Sequence, residues 1–128
     1  MVAGAALRTS AKLSVLVVDD DPDIRESLRL VLEFEGFAVR TAADGAEAVA
    51  AMEVEAPCFV ILDLMMPVMD GWEVAGRMHD DAHLAAIPLC VVTATPEWAP
   101  SDSTCVLKKP IELDVLLAAV RDNCTDLH

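Results

Sequence analysis

The chain has 128 residues, 55% of them hydrophobic and 4% aromatic, with 22 acidic residues against 9 Lys and Arg, a formal net charge of −13. That length suits one ordinary domain with its own core and is too short for two typical ones. The apolar share excludes an acidic disordered tail, the acidic excess argues against a nucleic-acid groove or an anionic membrane surface as partner, and no uncharged stretch is long enough to span a bilayer.

Residues 1–12 carry no charged start followed by a long apolar run, so they are expected to be a loose leader rather than a secretory signal. Ser14-Val15-Leu16-Val17-Val18 is an apolar, β-branched run of the kind that forms a parallel strand covered on both faces, and it ends in Asp19-Asp20-Asp21. Pro22 fits a first helical position with Asp21 as its cap, Ile24, Leu28, Val31 and Leu32 recur at helical spacing, and Gly36 stops the helix. Phe37–Thr41 is predicted as a second strand. Asp44-Gly45-Ala46-Glu47 has capping-box spacing before an alanine-rich helix to about Glu55, which Pro57 terminates. Cys58–Leu62 reads as a third strand ending at Asp63, followed by a loop marked by Pro67 and Asp70-Gly71 and a helix through Trp72, Val74, Ala75 and Met78. Pro88–Val92 is a fourth strand ending at Thr93. Thr104–Leu107 is a fifth, ending at Lys108-Lys109-Pro110, and the last helix carries Leu113, Leu116, Leu117 and Val120. Strands alternating with helices imply an α/β fold, a five-stranded parallel sheet doubly wound with helices on both faces. The domain is expected over residues 13–124, with 125–128 a short tail.

The 4 cysteines, Cys58, Cys90, Cys105 and Cys124, show no CxxC pairing and are expected to be reduced, buried thiols. His79, His83 and His128 are scattered and read as surface residues, and Met52, Met66, Met69 and Met78 as core or loop packing.

In an open parallel sheet, ligands sit at the carboxyl ends of the strands. Those ends carry Asp19, Asp20, Asp63, Thr93 and Lys109. Close carboxylates repel, and a hard divalent cation such as Mg²⁺ relieves them while keeping positions open for a phosphoryl oxygen. Lys109 adds a second positive charge and Thr93 a hydroxyl donor, a set suited to stabilising a transferring phosphoryl group, for which an Asp carboxylate is a competent acceptor.

Four stretches, Val17-Val18-Asp19-Asp20-Asp21-Pro22, Ile61 to Gly71, Val91-Val92-Thr93-Ala94 and Leu107-Lys108-Lys109-Pro110, make the chain resemble a response-regulator receiver domain, the CheY-like phosphoacceptor module of two-component signalling. The resemblance implies a flavodoxin-like strand order 2-1-3-4-5 and assigns roles position by position. Asp63 matches the phosphorylated aspartate. Asp19 and Asp20 match the acidic pair that holds Mg²⁺ (or Mn²⁺ in its place), with the backbone carbonyl of Met65 as a further ligand. Thr93 matches the switch hydroxyl and Lys109 the phosphate-pairing lysine, while Asp21 is left as a cap and Lys108 points away. It further implies a cytoplasmic signalling protein, not a metabolic enzyme, that takes its phosphoryl group from a histidine kinase or histidine phosphotransfer protein and switches binding to an effector, as a monomer or weak dimer without direct nucleic-acid contact. Such a domain is either a single-domain regulator or a module of a larger regulator or hybrid kinase. An aspartyl-nucleophile phosphohydrolase is the alternative; it usually carries a second acid two residues after the nucleophile, where Asp63-Leu64-Met65 has none. An FMN-binding module of the same fold is disfavoured because Asp19-Asp20-Asp21 would repel the flavin phosphate.

The sequence departs from the family in two places. Members usually carry a full fourth helix between the switch strand and the last strand, but Ala94–Ser103 contains Pro96 and Pro100, and a proline in a helix interior costs ~3 kcal/mol, so this helix is expected to be missing or reduced to a turn. Val106 stands where many members carry an aromatic switch residue. The output surface is therefore expected to be atypical, involving the Trp98 loop and Val106. Met65 and Thr95 occupy positions that tune phosphoryl lifetime in such domains, and neither suits the positioning of an attacking water, so self-hydrolysis is expected to be slow.

Overall fold

The computed structural model describes residues 14–124. The leader 1–12 and the tail 125–128 expected from the sequence lie outside the described residues. Five strands, β1 (Ser14–Val18), β2 (Ala38–Ala42), β3 (Phe59–Asp63), β4 (Leu89–Thr93) and β5 (Cys105–Lys108), alternate with helices α1 (Pro22–Phe34), α2 (Gly45–Val54), α3 (Gly71–Asp80) and α4 (Leu113–Asn123). All strand pairs are parallel, in the order β2-β1-β3-β4-β5. This is the doubly wound sheet expected from the sequence.

The apolar runs of β1, β3 and β4 are buried along their whole length because successive side chains enter different cores. Leu16, Val18, Val60, Leu62 and Val91 pack with Ala48, Met52, Val74 and Met78 of α2 and α3. Val15, Val17, Phe59, Ile61, Cys90 and Val92 pack on the other face with Leu28 and Leu32 of α1 and Leu116 and Val120 of α4. Strand β5 lies at the sheet edge and alternates half-buried with exposed positions.

Two helix starts follow the capping residues read from the sequence, Asp21 and Asp44, and a third is capped by Asp70, which the sequence offered only as a loop marker. Asp21 accepts from the Asp23 and Ile24 amides, Asp44 from Glu47, and Asp70 from Glu73. Glu47 reaches back to the Ala43 amide at 3.0 Å, which completes the box one residue earlier than the usual partner. Helix α1 ends in a Schellman motif: Gly36 takes φ +99°, its amide bonds Glu33 O, and the Phe37 amide bonds Leu32 O at 3.1 Å. Phe37 is thereby used by the helix end, and β2 begins one residue later than expected, at Ala38.

Between β4 and β5 there is a single 3₁₀ turn, Pro96–Trp98, in place of a helix. The two prolines act as expected, and the Ser103 amide and hydroxyl close the loop on Pro100 O.

The cysteines depart from expectation. Cys58 and Cys124 are joined as a disulfide with a Cα–Cα distance of 5.3 Å, while Cys90 and Cys105 are free. The two joined residues are 66 positions apart in the chain. Only the packing of the α4 C-terminus over the start of β3 brings them together, so no local spacing announces the bond. Among the described residues, no helix is long and apolar enough to cross a membrane.

Candidate functional site

The strand register builds the site. Val18 pairs with Leu62, so Asp19 and Asp63, each the next residue, stand side by side at the carboxyl ends of β1 and β3. Thr93 pairs with Lys108 across β4 and β5, and the Lys109 amide donates to Thr93 O at 2.9 Å, which turns the Lys109 side chain back over the sheet end. Asp19, Asp20 and Asp63 each offer a carboxylate oxygen, all within 4.8 Å of one another. Lys109 Nζ lies 3.4 Å from Asp63 Oδ1 and 3.9 Å from Asp19 Oδ2. Asp19, Asp20, Asp63 and Lys109 are thus brought together, Thr93 stands at the end of the neighbouring strand β4, and Lys108 is exposed.

Burial divides the labour among the acids. Asp19 and Asp63 are 4% and 5% exposed, whereas Asp20 faces solvent at the open side of the cluster. Burial is the main reason that both buried carboxyls bind protons more tightly than usual; for Asp19 the charge of Asp63 adds to the effect. The Asp21 amide (2.9 Å) and the Met65 amide (3.3 Å) partly offset this by donating to Asp19 Oδ1 and Asp63 Oδ1, and Lys109 opposes it at both. One lysine against three crowded carboxylates leaves an excess of negative charge, which a hard divalent cation with oxygen ligands would neutralise. The donor set fits such an ion.

Several contacts were not legible in the sequence. Arg25 of α1 donates to the Asp19 carbonyl at 2.7 Å and ties the helix to the acidic end of β1. After Asp63 the chain makes a γ-turn, with the Met69 amide 2.7 Å from Pro67 O and Val68 at φ +69°. A β-branched residue rarely adopts this left-handed region. The loop is pinned on both sides: Gly71 N–H donates to Leu64 O at 2.9 Å, and Gly45 N–H to Met69 O at 3.1 Å. A side chain at Gly71 would meet Asp63 O and Leu64 Cα at 2.6 Å, so a glycine is needed there. The Met65 side chain is 64% exposed beside a cavity of about 420 Å³ lined by Asp20, Met66, Pro67, Asp70 and Trp72.

Thr93 is 1% exposed, and its hydroxyl meets two partners on Thr95: the Thr95 amide at 3.0 Å and the Thr95 hydroxyl at 3.2 Å. The loop that follows is sutured to α3. Trp72 Nε1–H donates to Trp98 O at 2.8 Å, and His79 Nδ1 lies 3.1 Å from Asp102 Oδ2. Trp98 and Val106 are 61% and 37% exposed.

Comparison with known proteins agrees with this geometry. The family model described as "Response regulator receiver domain" matches residues 15–121. The chain belongs to the response-regulator receiver family. Response regulator MprA of Mycolicibacterium vanbaalenii is 38% identical over 113 residues, covering 84% of this chain and 48% of that protein. The receiver chain therefore spans about half the length of the MprA relatives it matches. Among solved structures, chemotaxis protein CheY4 of Vibrio cholerae superposes with a TM-score of 0.75 at 30% identity, covering 86% of this chain and 97% of that one. A response regulator receiver protein from Pseudomonas putida gives 0.80 at 28% identity, covering 88% and 98%. The family is a signalling phosphoacceptor family, as the sequence motifs imply.

Proposed function

We propose that this receiver domain accepts a phosphoryl group on Asp63 from a phosphohistidine donor, a histidine kinase or histidine phosphotransfer protein, and that the modified domain changes its affinity for a downstream effector. The observation that carries this reading is the placing of Lys109 Nζ 3.4 Å from Asp63 Oδ1 within an acidic cluster whose oxygens lie within 4.8 Å of one another. An Asp63 carboxylate oxygen attacks phosphorus, the P–N bond of the donor breaks, a P–O bond to Asp63 forms, and the imidazole leaves to take up a proton. Asp19, Asp20, Asp63 and the Met65 carbonyl would hold Mg²⁺, or Mn²⁺ in its place, which supplies positive charge to the phosphoryl oxygens. Lys109 pairs with a phosphoryl oxygen, and the Thr93 hydroxyl donates to another. The reading describes a cytoplasmic signalling switch that catalyses its own modification, acts as a monomer or weak dimer and makes no direct contact with nucleic acid. Trp98 and Val106 form its output surface.

Incubation with Mg²⁺ and acetyl phosphate, followed by intact mass, tests the assignment. Wild type gains one phosphoryl group; Asp63→Asn gains none, and chelation of the metal abolishes the gain. Modification of Asp63→Asn to the wild-type extent would refute it. With Met65 and Thr95 flanking the site, the phosphoryl group outlasts removal of the donor. Its disappearance during desalting, with no phosphatase present, would contradict the expected slow hydrolysis.

A further inference from the structure

We infer that Thr95 is a positioning residue which holds the Thr93 hydroxyl in its resting place and couples it, through the 3₁₀ turn, to the indole of Trp72. This deepens the reading of Asp63 as phosphoacceptor and rests on it. The connection is a continuous run of hydrogen bonds. Thr93 Oγ1 accepts from the Thr95 amide at 3.0 Å and stands 3.2 Å from the Thr95 hydroxyl. The Thr95 carbonyl accepts from the Trp98 amide at 3.0 Å, the bond that closes the turn. The Trp98 carbonyl accepts from Trp72 Nε1–H at 2.8 Å, on the first turn of α3.

A phosphoryl oxygen is an acceptor only, so the Thr93 hydroxyl must turn from Thr95 to donate to it. Rotation of the Thr93 side chain about χ1 toward Asp63 carries Oγ1 itself away from the Thr95 amide and so deprives that amide of its acceptor. A half-buried amide without a partner is costly, so the Ala94–Thr95 peptide reorients, and the Thr95 carbonyl, which lies in the next peptide and closes the turn, shifts with the Thr95 backbone. Trp98 and the bond it makes to Trp72 move in consequence. The replacement of the fourth helix by a three-residue turn is what makes so short a path available, and it needs no aromatic residue at Val106. The groove between α3 and this loop, about 420 Å³ and lined by Trp72, Ala75, Gly76, His79 and Pro100, changes shape with it.

The test uses the whole chain, with beryllium fluoride and Mg²⁺ as the phosphoryl mimic. Fluorine NMR reports occupancy of Asp63, and ¹H–¹⁵N NMR reports the indole N–H groups of the 2 tryptophans. On saturation, wild type is expected to show exchange of the Trp72 indole proton with water at least about tenfold faster, as expected for loss of a protein hydrogen bond. Thr95→Val, which removes one hydroxyl competitor, is expected to bind beryllium fluoride about three- to tenfold more tightly, the worth of one hydrogen bond. Thr95→Ser restores the wild-type affinity and indole response, which a purely packing role for the methyl group would not do. Bound fluoride with an unmoved Trp72 indole in wild type overturns the coupling, and so does a Thr95→Val protein with wild-type affinity. Absence of a bound-fluoride signal in wild type overturns the phosphoacceptor reading and the coupling with it.

Discussion

Asp63→Asn should make the metal-free domain more stable at neutral pH, although it removes the group on which the proposed chemistry depends. At an effective dielectric of 20, Lys109 at 3.4 Å attracts the Asp63 charge by about 5 kcal/mol, and Asp19 within 4.8 Å repels it by at least about 3.5 kcal/mol. Asp20 is exposed, so its repulsion across water is nearer about 1 kcal/mol. Attraction and repulsion therefore nearly cancel, and desolvation of a carboxylate only 5% exposed decides the sign. Asparagine keeps the oxygen that accepts from the Met65 amide and leaves Lys109, whose side chain is 29% exposed, paired with Asp19. The expected gain is about 1–2 kcal/mol, or roughly 4–10 °C in Tm for a domain of this size. The pH dependence has a definite sign. Burial raises the folded pKa of Asp63 above its ordinary value of 3.8, so the penalty is absent below that value, grows as pH rises from there through the folded pKa, and is complete above it. Thermal melts of both proteins in EDTA between pH 4 and 7.5 should converge at low pH and separate above it. Added Mg²⁺ should raise the wild-type Tm more than that of Asp63→Asn. A variant less stable than wild type at pH 7 in EDTA, or a difference independent of pH, would refute the electrostatic account.

Reduction of the Cys58–Cys124 bond, or Cys124→Ser, should cost about 4 kcal/mol, since the closed loop is long; urea titration with and without reductant measures it, and coincident curves would show that the link contributes nothing. Val68→Gly should stabilise the domain by about 1 kcal/mol by relieving the left-handed conformation, read as a higher urea midpoint with unchanged slope. Gly71→Ala should destabilise by about 1–3 kcal/mol, because the added carbon meets backbone that cannot yield without moving Asp63, and should slow phosphoryl uptake from acetyl phosphate in the same protein.

Much of the fold was legible in the residues themselves. Continuous Val, Leu and Ile runs in β1, β3 and β4 declare strands buried on both faces, because only there does every side chain find a core. Asp21, Asp44 and Gly36 mark helix ends through local hydrogen bonding, which depends on residues a few positions apart. Pro96 and Pro100 suffice to forbid a helix between β4 and β5. The acids, the threonine and the lysine at the strand ends were likewise visible as polar stops to apolar runs.

The tertiary structure alone decided how those residues meet. The β1–β3 register sets Asp19 beside Asp63, and the Lys109 amide bonded to Thr93 O aims the ammonium at both carboxylates. A one-residue slip would turn the strand side chains to the opposite faces and break up the cluster. The same holds for features the sequence concealed. Cys58 meets Cys124 through helix packing across 66 positions, Trp72 meets the Trp98 carbonyl across 26, and Val68 is forced to positive φ by a loop tied down at both ends. Propensities and caps are short-range and can be read from neighbouring residues, whereas register, distant contacts and backbone strain arise only when the whole chain packs against itself.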